Sequence, residues 1–255
     1  MIHELAALIA SHHKILVFTG AGISTGSGIP DFRGPQGVWK TEQPVYYQDF
    51  MTSVEARREY WRQKHAGAAA FGAASPNDVH RAVVALEHAG KVERVVTQNI
   101  DGLHRAAGTD PSLLVEIHGT NALVECQTCG ALSDPVPHFD RFSQTGEPPD
   151  CECGGFLKPA TISFGQSLRG DDLRAAFSAA DACDMVLALG STLSVTPAAD
   201  VPLRAARRGR PYAVVNRGAT EHDQLGVITL RIEGDVGQFV PAAIDLAIGG
   251  GDPLR

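Results

Sequence analysis

At 255 residues, with 44% of them apolar and 20% charged, the chain can bury a sizeable core and is long for one simple domain. Its net charge of -7 offers no basic surface to draw DNA, RNA or anionic lipid, and apolar runs such as Met185–Leu189 fall far short of the roughly 20 residues that cross a bilayer. Nucleic acid and membrane are thereby excluded as expected partners.

In chain order, the start carries Ile2, Leu5, Leu8 and Ile9 at helical spacing together with Glu4. It lacks the basic segment and unbroken apolar core of a secretory leader, which points to the cytoplasm. Short apolar, β-branched runs at Ile15–Thr19, residues 95–97, Met185–Leu189, Tyr212–Asn216 and residues 228–232 read as buried parallel strands. Helical patterns fall between several of them: residues 79–89 after Pro76 and Asn77, 173–180 after Asp171 and Asp172, and 198–208 after Pro197. This alternation predicts an α/β fold with a Rossmann-like, doubly wound parallel sheet. Two stretches interrupt it, residues 28–72, helical in their later part, and 122–157, which hold paired cysteines. They are expected to form a small lobe, leaving 1–27, 73–121 and 158–255 to the large one. Ligands of such sheets bind beyond the carboxyl ends of the strands, so the loops at 20–33 and 98–101 are expected to share a crevice.

Gly20, Ala21, Gly22, Ile23 and Ser24 follow the first run directly. Glycines there permit a tight turn and bring backbone N–H groups close to a pyrophosphate, although a plain strand-to-helix turn has the same composition. A hydride-transferring dehydrogenase fits poorly. The next glycine is Gly26 where its fingerprint needs one at Thr25, and the region of its ribose-binding acid holds Gly37, Trp39 and Pro44. The segment runs on through Gly28, Ile29, Pro30, Asp31, Phe32, Arg33 and Gly34, and the whole stretch GAGISTGSGIPDFRG resembles the sirtuin family, the NAD-dependent protein deacylases. By that resemblance Gly20, Ala21, Gly22, Ser24, Asp31, Phe32 and Arg33 belong to the NAD site. Ala21, Ser24 and Arg33 touch phosphate, and Phe32 covers the nicotinamide side, hindering its return.

The run from Thr97 to His104 ends a strand with two amides and a carboxylate. Such groups suit a carboxamide and a ribose, but Asp101 equally suits the N-cap of a helix through Leu103 and Ala106. The run also matches the sirtuin pattern, which implies that Asn99 and Asp101 hold the nicotinamide carboxamide and a water, that Gln98 bonds the nicotinamide ribose, and that Ile100 belongs to the NAD site. His118, between Ile117 and Gly119, matches the family's catalytic base, with Asn99 and Asp101 as its catalytic companions. A near-neutral imidazole suits removal of a ribose hydroxyl proton. His104 is the competing histidine and reads better as part of the helix after the polar loop.

Cys126 and Cys129, then Cys151 and Cys153, form two pairs about 20 residues apart with glycines beside them, the pattern of a zinc knuckle. Four thiolates fill a tetrahedral shell, so one zinc ion is expected to hold the small lobe together and do no chemistry. The second pair departs from the commoner Cys-x-x-Cys. Cys183 stands alone and reads as a small buried apolar residue.

Gly190, Ser191 and Thr192 after one strand, Asn216, Arg217 and Gly218 after the next, and Val236 beyond resemble the family's remaining NAD-binding loops. The likeness thus spans residues 15–239. The run 158–166 departs from it: the family's Val-Val-x-Phe-Gly-Glu type is here Thr161, Ile162, Ser163, Phe164, Gly165 and Gln166. By resemblance Ile162, Phe164 and Gly165 grip the substrate. Tyr60 lacks the arginine three residues on that some members use for succinyl and malonyl groups, which disfavours acidic acyl groups.

The resemblance implies NAD-dependent deacetylation of acylated-lysine proteins, releasing nicotinamide and O-acetyl-ADP-ribose, by a monomer that consumes NAD as co-substrate. An ADP-ribosyltransferase or NAD glycohydrolase would use the same cleft, and a non-catalytic NAD-sensing module would bind without turnover.

Overall fold

The computed structural model describes residues 1–31, 37 and 43–249. Six parallel strands, β1 (Ile15–Thr19), β2 (Val92–Thr97), β3 (Leu114–Glu116), β7 (Met185–Leu189), β8 (Tyr212–Asn216) and β9 (Leu230–Glu233), form a sheet in the order β3-β2-β1-β7-β8-β9. The chain winds outward from β1 in one direction and from β7 in the other. The strand order therefore reverses between β1 and β7, where a doubly wound sheet opens its binding crevice.

Both faces of this sheet are covered, which explains why its strands read as unbroken apolar runs. Along β1 the side chains alternate: Ile15 and Val17 join one core with Leu5, Ile9, Val83, Leu86, Val240 and Ile244, whereas Leu16 and Phe18 join the other. Helices α1 (Ile2–Ala10), α4 (Asp78–His88) and α9 (Val236–Gly249) supply the first core. The second is closed by α7 (Gly170–Ala182) and α8 (Asp200–Arg207), whose Ala176, Ala179, Ala180 and Ala205 let the helices approach closely. Burial of each Val, Leu or Ile contributes about 1.5–3 kcal/mol.

A second, antiparallel sheet has the order β5-β4-β6, from β4 (Gly119–Cys126), β5 (Leu132–Ser133) and β6 (Leu157–Thr161). With α2 (Tyr47–Thr52), α3 (Val54–Ala73) and α6 (Pro135–Thr145) it encloses a third core of Phe50, Tyr60, Trp61, Val124, Phe142 and Leu157. The Trp61 indole N–H donates to the Leu157 carbonyl at 3.1 Å, so the largest side chain of that core is also hydrogen-bonded.

The predicted strands and helices of the parallel sheet are present, with shifted ends: the helix expected over 198–208 begins at Asp200, and the strand expected over 228–232 is Leu230–Glu233. The small sheet was not foreseen. β4 and β6 pair across a long sequence separation, and Lys158 and Pro159 within β6 obscure a strand pattern.

Candidate active site

The site is built where loops after β1, β2 and β7 meet. After β1 the chain makes two 3-10 turns, Ala21–Ile23 and Thr25–Ser27, in place of a long helix. The Gly22 N–H donates to the Gly190 carbonyl at 2.9 Å, and Gly190 stands at φ +61. A Cβ on Gly190 would sit 2.6 Å from the Ile23 nitrogen and 2.7 Å from the Gly22 carbonyl carbon. Only glycine lets the two loops interlock this closely. Asn77, the N-cap of α4, clamps the first loop from outside: its Oδ1 accepts the Val79 N–H, while its amide donates to Ile23 O and Ser27 Oγ at 2.7 and 2.9 Å.

Within this frame the polar side chains converge. The Asn99 amide donates to Gly20 O at 3.2 Å and Ser24 Oγ at 3.1 Å, and the Ser24 hydroxyl donates to Asp101 Oδ2 at 2.7 Å. Asp101 Oδ1 accepts the Leu103 N–H at 2.9 Å just ahead of α5 (Leu103–Ala107). The N-cap expected at Asp101 falls instead on Gly102, whose left-handed conformation at φ +73 starts the helix. Gln98 donates from its side chain to Ser191 Oγ at 2.7 Å, tying the β2 loop to the β7 loop. Its carbonyl pairs with His118 Nδ1 at 3.1 Å. A carbonyl only accepts, so Nδ1 carries the proton and Nε2 is the basic nitrogen. Burial pushes the His118 imidazole below its ordinary value, against the Gln98 hydrogen bond, so the ring is neutral at pH 7.

Gly119 follows at φ +75, and a Cβ there would lie 2.1 Å from the Ala160 carbonyl oxygen. This close approach seats β6 against the histidine, and the Ile162 N–H donates to His118 O at 2.8 Å. Beyond it, the Phe164 carbonyl accepts from the Tyr47 N–H at 2.8 Å, and Gly165 is exposed. Gln166 closes the turn through Ser163 N–H to its Oε1 at 3.0 Å, a structural task for the residue that departs from the family pattern.

The loops after β8 and β9 adjoin each other. Asn216 is buried and its amide donates to Arg217 O and Gly218 O, both at 3.1 Å. The Gly234 N–H donates to Asn216 O, which brings Val236 at the start of α9 beside that loop. Arg217 is exposed and pairs with Asp235 at 2.6 Å. Thr192 Oγ1 lies 2.9 Å from Ser194 Oγ. Ile100 accepts the Asn121 N–H through its carbonyl, and Asp31 is half-buried. Phe32 and Arg33 lie outside the described residues.

Two histidines behind the site escaped the sequence reading in this role. His104 is buried on α5 with Nε2 3.0 Å from Thr19 Oγ1, and burial pushes it down to about 3. His80 packs edge-on against it at 5.1 Å, accepts the Asn77 N–H at Nδ1, and is pushed down to about 4, chiefly by burial and against the Asp101 charge. The signal available for His80 was its place three residues after a helix N-cap.

The four paired cysteines come together with all ligand atoms within 4.8 Å of one another. Cys126 Sγ is 3.6 Å from Cys153 Sγ, and Cys129 Sγ is 3.8 Å from Cys151 Sγ. Thiolates on a tetrahedral zinc at about 2.3 Å stand about 3.8 Å apart, whereas a disulfide closes to about 2.05 Å. The cluster therefore fits zinc. The N–H groups of Cys129 and Thr128 point at Cys126 Sγ at 3.5 and 3.4 Å and pull that thiol down to about 6, favouring the thiolate that a metal binds. Cys183 is buried in the second core, as expected.

The arrangement has counterparts. The chain is 41% identical to "NAD-dependent protein deacetylase 1" of Bradyrhizobium diazoefficiens, over 94% of this chain and 95% of that one. It is 40% identical to "NAD-dependent protein deacetylase" of Rhodopseudomonas palustris, over 94% and 96%. Among solved structures, a "Sir2-p53 peptide-NAD+" complex superposes with a TM-score of 0.85 at 32% identity, covering 99% of this chain and 100% of that one. A Sir2 variant with deacetylated p53 peptide and 3'-O-acetyl ADP ribose gives a TM-score of 0.87 at 34% identity, over 97% and 98%. The Sir2 family model matches residues 20–197, a span that holds the glycine loop, the polar loop, His118 and all four clustered cysteines, and the chain belongs to the Sir2 family.

Proposed function

We propose that this chain is an NAD-dependent protein-lysine deacetylase. The observation that carries the reading is the convergence of Ser24, Gln98, Asn99, Asp101, Ser191 and His118 on one crevice at the sheet's switch point. The relatives' names and the peptide and NAD complexes of the solved neighbours support the same chemistry. NAD, when bound, supplies the ADP-ribosyl group that accepts the acyl group as nicotinamide departs.

The chain's own residues prepare that transfer. Gly20 to Ser24 and Gly190 to Thr192 offer backbone N–H groups and hydroxyls to the phosphates, and Asn216 to Gly218 with Val236 border the adenosine. Asn99 and Asp101, held in a shared network with Ser24, orient the nicotinamide carboxamide. His118 Nε2 takes the proton of a ribose hydroxyl, and the Gln98 carbonyl keeps the ring in the tautomer that can do so. Ile162, Phe164 and Gly165 grip the acylated segment. Cys126, Cys129, Cys151 and Cys153 hold a structural zinc and take no part in the reaction. The lobe division expected from the sequence, a monomeric state and a cytoplasmic site of action belong to the same reading.

The test is incubation with NAD and an acetyl-lysine peptide, following nicotinamide and O-acetyl-ADP-ribose by mass spectrometry. Both products are expected, and His118→Ala is expected to lower their rate about 10²- to 10⁴-fold, the usual weight of a general base. Equal nicotinamide release with and without peptide would instead establish an NAD hydrolase.

A further inference from the structure

The loop after β8, which borders the adenosine in the proposed reading, is held by one residue of β9. Arg231 stands opposite Val214 in the register of the two strands and is half-buried. A guanidinium carries five N–H groups in a fixed fork and keeps its charge. All five find acceptors here. Nε donates to Asp223 Oδ1 at 2.9 Å. One terminal nitrogen donates to the carbonyls of Asn216 and Ile232 at 3.1 and 2.6 Å, and the other to Gly218 O at 2.6 Å and Glu233 Oε2 at 3.0 Å.

These acceptors reach two loops. The carbonyls of Asn216 and Gly218 belong to the turn after β8, and bonding both to one planar group fixes their spacing. The Asn216 amide spends its two donors on Arg217 O and Gly218 O, so Oδ1 is the polar side-chain atom it can present to a ribose hydroxyl. Glu233 closes the same turn, accepting from Arg231 through Oε2 and from the Gly218 N–H through Oε1 at 2.7 Å. Asp223 extends the network. Its carboxylate accepts the Thr220 N–H and hydroxyl at 2.9 and 2.8 Å, and the neighbouring Glu221 N–H donates to Thr192 O at 3.0 Å. Thr192 lies in the loop after β7 proposed to meet the phosphates. Arg231 thus ties together loops from two strands while all its donors are spent on protein.

We infer that Arg231, acting through the 216–218 turn and through Asp223, is a positioning residue for the adenosine half of NAD and sets the affinity for the ADP-ribosyl group without touching it. This rests on the reading of the crevice as an NAD site. Charge alone does not account for the arrangement. Asp223 and Glu233 already neutralise the guanidinium, and a lysine would bring three donors to five acceptors. Asn99 and His118, on the nicotinamide side, stand on the segments that follow β2 and β3, so the effect falls on binding rather than on the chemical step.

The test measures ADP-ribose binding by calorimetry, KM for NAD and kcat with an acetyl-lysine peptide, and thermal unfolding. Arg231→Met is expected to weaken ADP-ribose binding and raise KM for NAD by about ten- to a hundredfold, the weight of a charge-assisted hydrogen bond, with kcat within about twofold. Arg231→Lys keeps the charge but not the fork, and should recover only part of the affinity. Asp223→Asn should weaken ADP-ribose binding by a smaller factor and leave KM for the peptide unchanged. If Arg231→Met does not fold, Arg231→Lys and Asp223→Asn decide. Unchanged ADP-ribose affinity in Arg231→Met, even with a lower melting temperature, or a loss confined to kcat, would overturn the inference and leave the deacetylase standing. Full recovery in Arg231→Lys would overturn it as well, by assigning the effect to charge. Failure of the wild type to bind ADP-ribose would overturn the NAD-site reading itself.

Discussion

His104 and His118 carry the same imidazole into different surroundings. His118 is half-buried, with Nδ1 committed to the Gln98 carbonyl, whereas His104 is sealed between α5, Thr19 and the His80 ring. The buried pair has a consequence for stability. In the unfolded chain both rings take a proton near 6.5, but in the folded chain they stay neutral down to about 4 and about 3. The unfolded state therefore binds more protons as the pH falls below 6.5, and folding free energy declines through that window, by about 1.4 kcal/mol per pH unit for each histidine. Above 6.5 their contribution is level. Thermal unfolding from pH 7 to 4 should show this decline, and His104→Gln should make it shallower. An unchanged slope in the variant would assign the acid sensitivity to carboxylates instead. The sequence distinguished His118 from His104 only by resemblance, because burial is a property of the fold and no local pattern marks a histidine as sealed.

At the level of elements, the site depends on loops at the carboxyl ends of β1, β2 and β7 that bond to one another more than to themselves. Gly22 and Gly190 are far apart in the chain and touch backbone to backbone. Gly190→Ala is expected to lower stability by at least about 1–3 kcal/mol, since it combines a positive φ with a clash against backbone that cannot rotate away. It should also weaken NAD binding in calorimetry. Intact NAD affinity in this variant would mean that the two loops move independently. A change at Gly209, at φ +79 in an open turn with no atom within 4 Å of an added Cβ, carries the backbone strain without the clash and isolates its share. The strands and most helices of the parallel sheet were legible because each is a short, strongly patterned run. The small sheet was not, because β4 and β6 alternate imperfectly and acquire their pairing only when residues on either side of the cysteines are brought together.

At the level of the whole molecule, the four cysteines fasten the ends of β4 and β6 beneath the core that carries Tyr60 and Trp61. Cys126 closes β4, and Cys151 precedes β6 by a few residues. Removal of zinc by a strong chelator, or Cys129→Ser, is expected to unfold this region first, with a lower melting temperature and lost deacetylase activity. Metal analysis should return about one zinc per chain before treatment. An unchanged melting temperature after complete zinc removal would show that the third core stands without the metal.

The sequence by itself determined the doubly wound sheet and the thiolate cluster, because these are written in contiguous runs of apolar strands and paired cysteines, while the glycine and polar loops were singled out by their resemblance to the sirtuins. The tertiary structure decided what depends on distance through space. It set the tautomer of His118, the start of α5 at Gly102 and the depressed imidazoles of His80 and His104. It also brought the Lys158 ammonium to the ring of Tyr60, far from it in the chain. Solvent exclusion and electrostatic coupling arise between segments that only folding brings into contact, and they cannot be read along the chain.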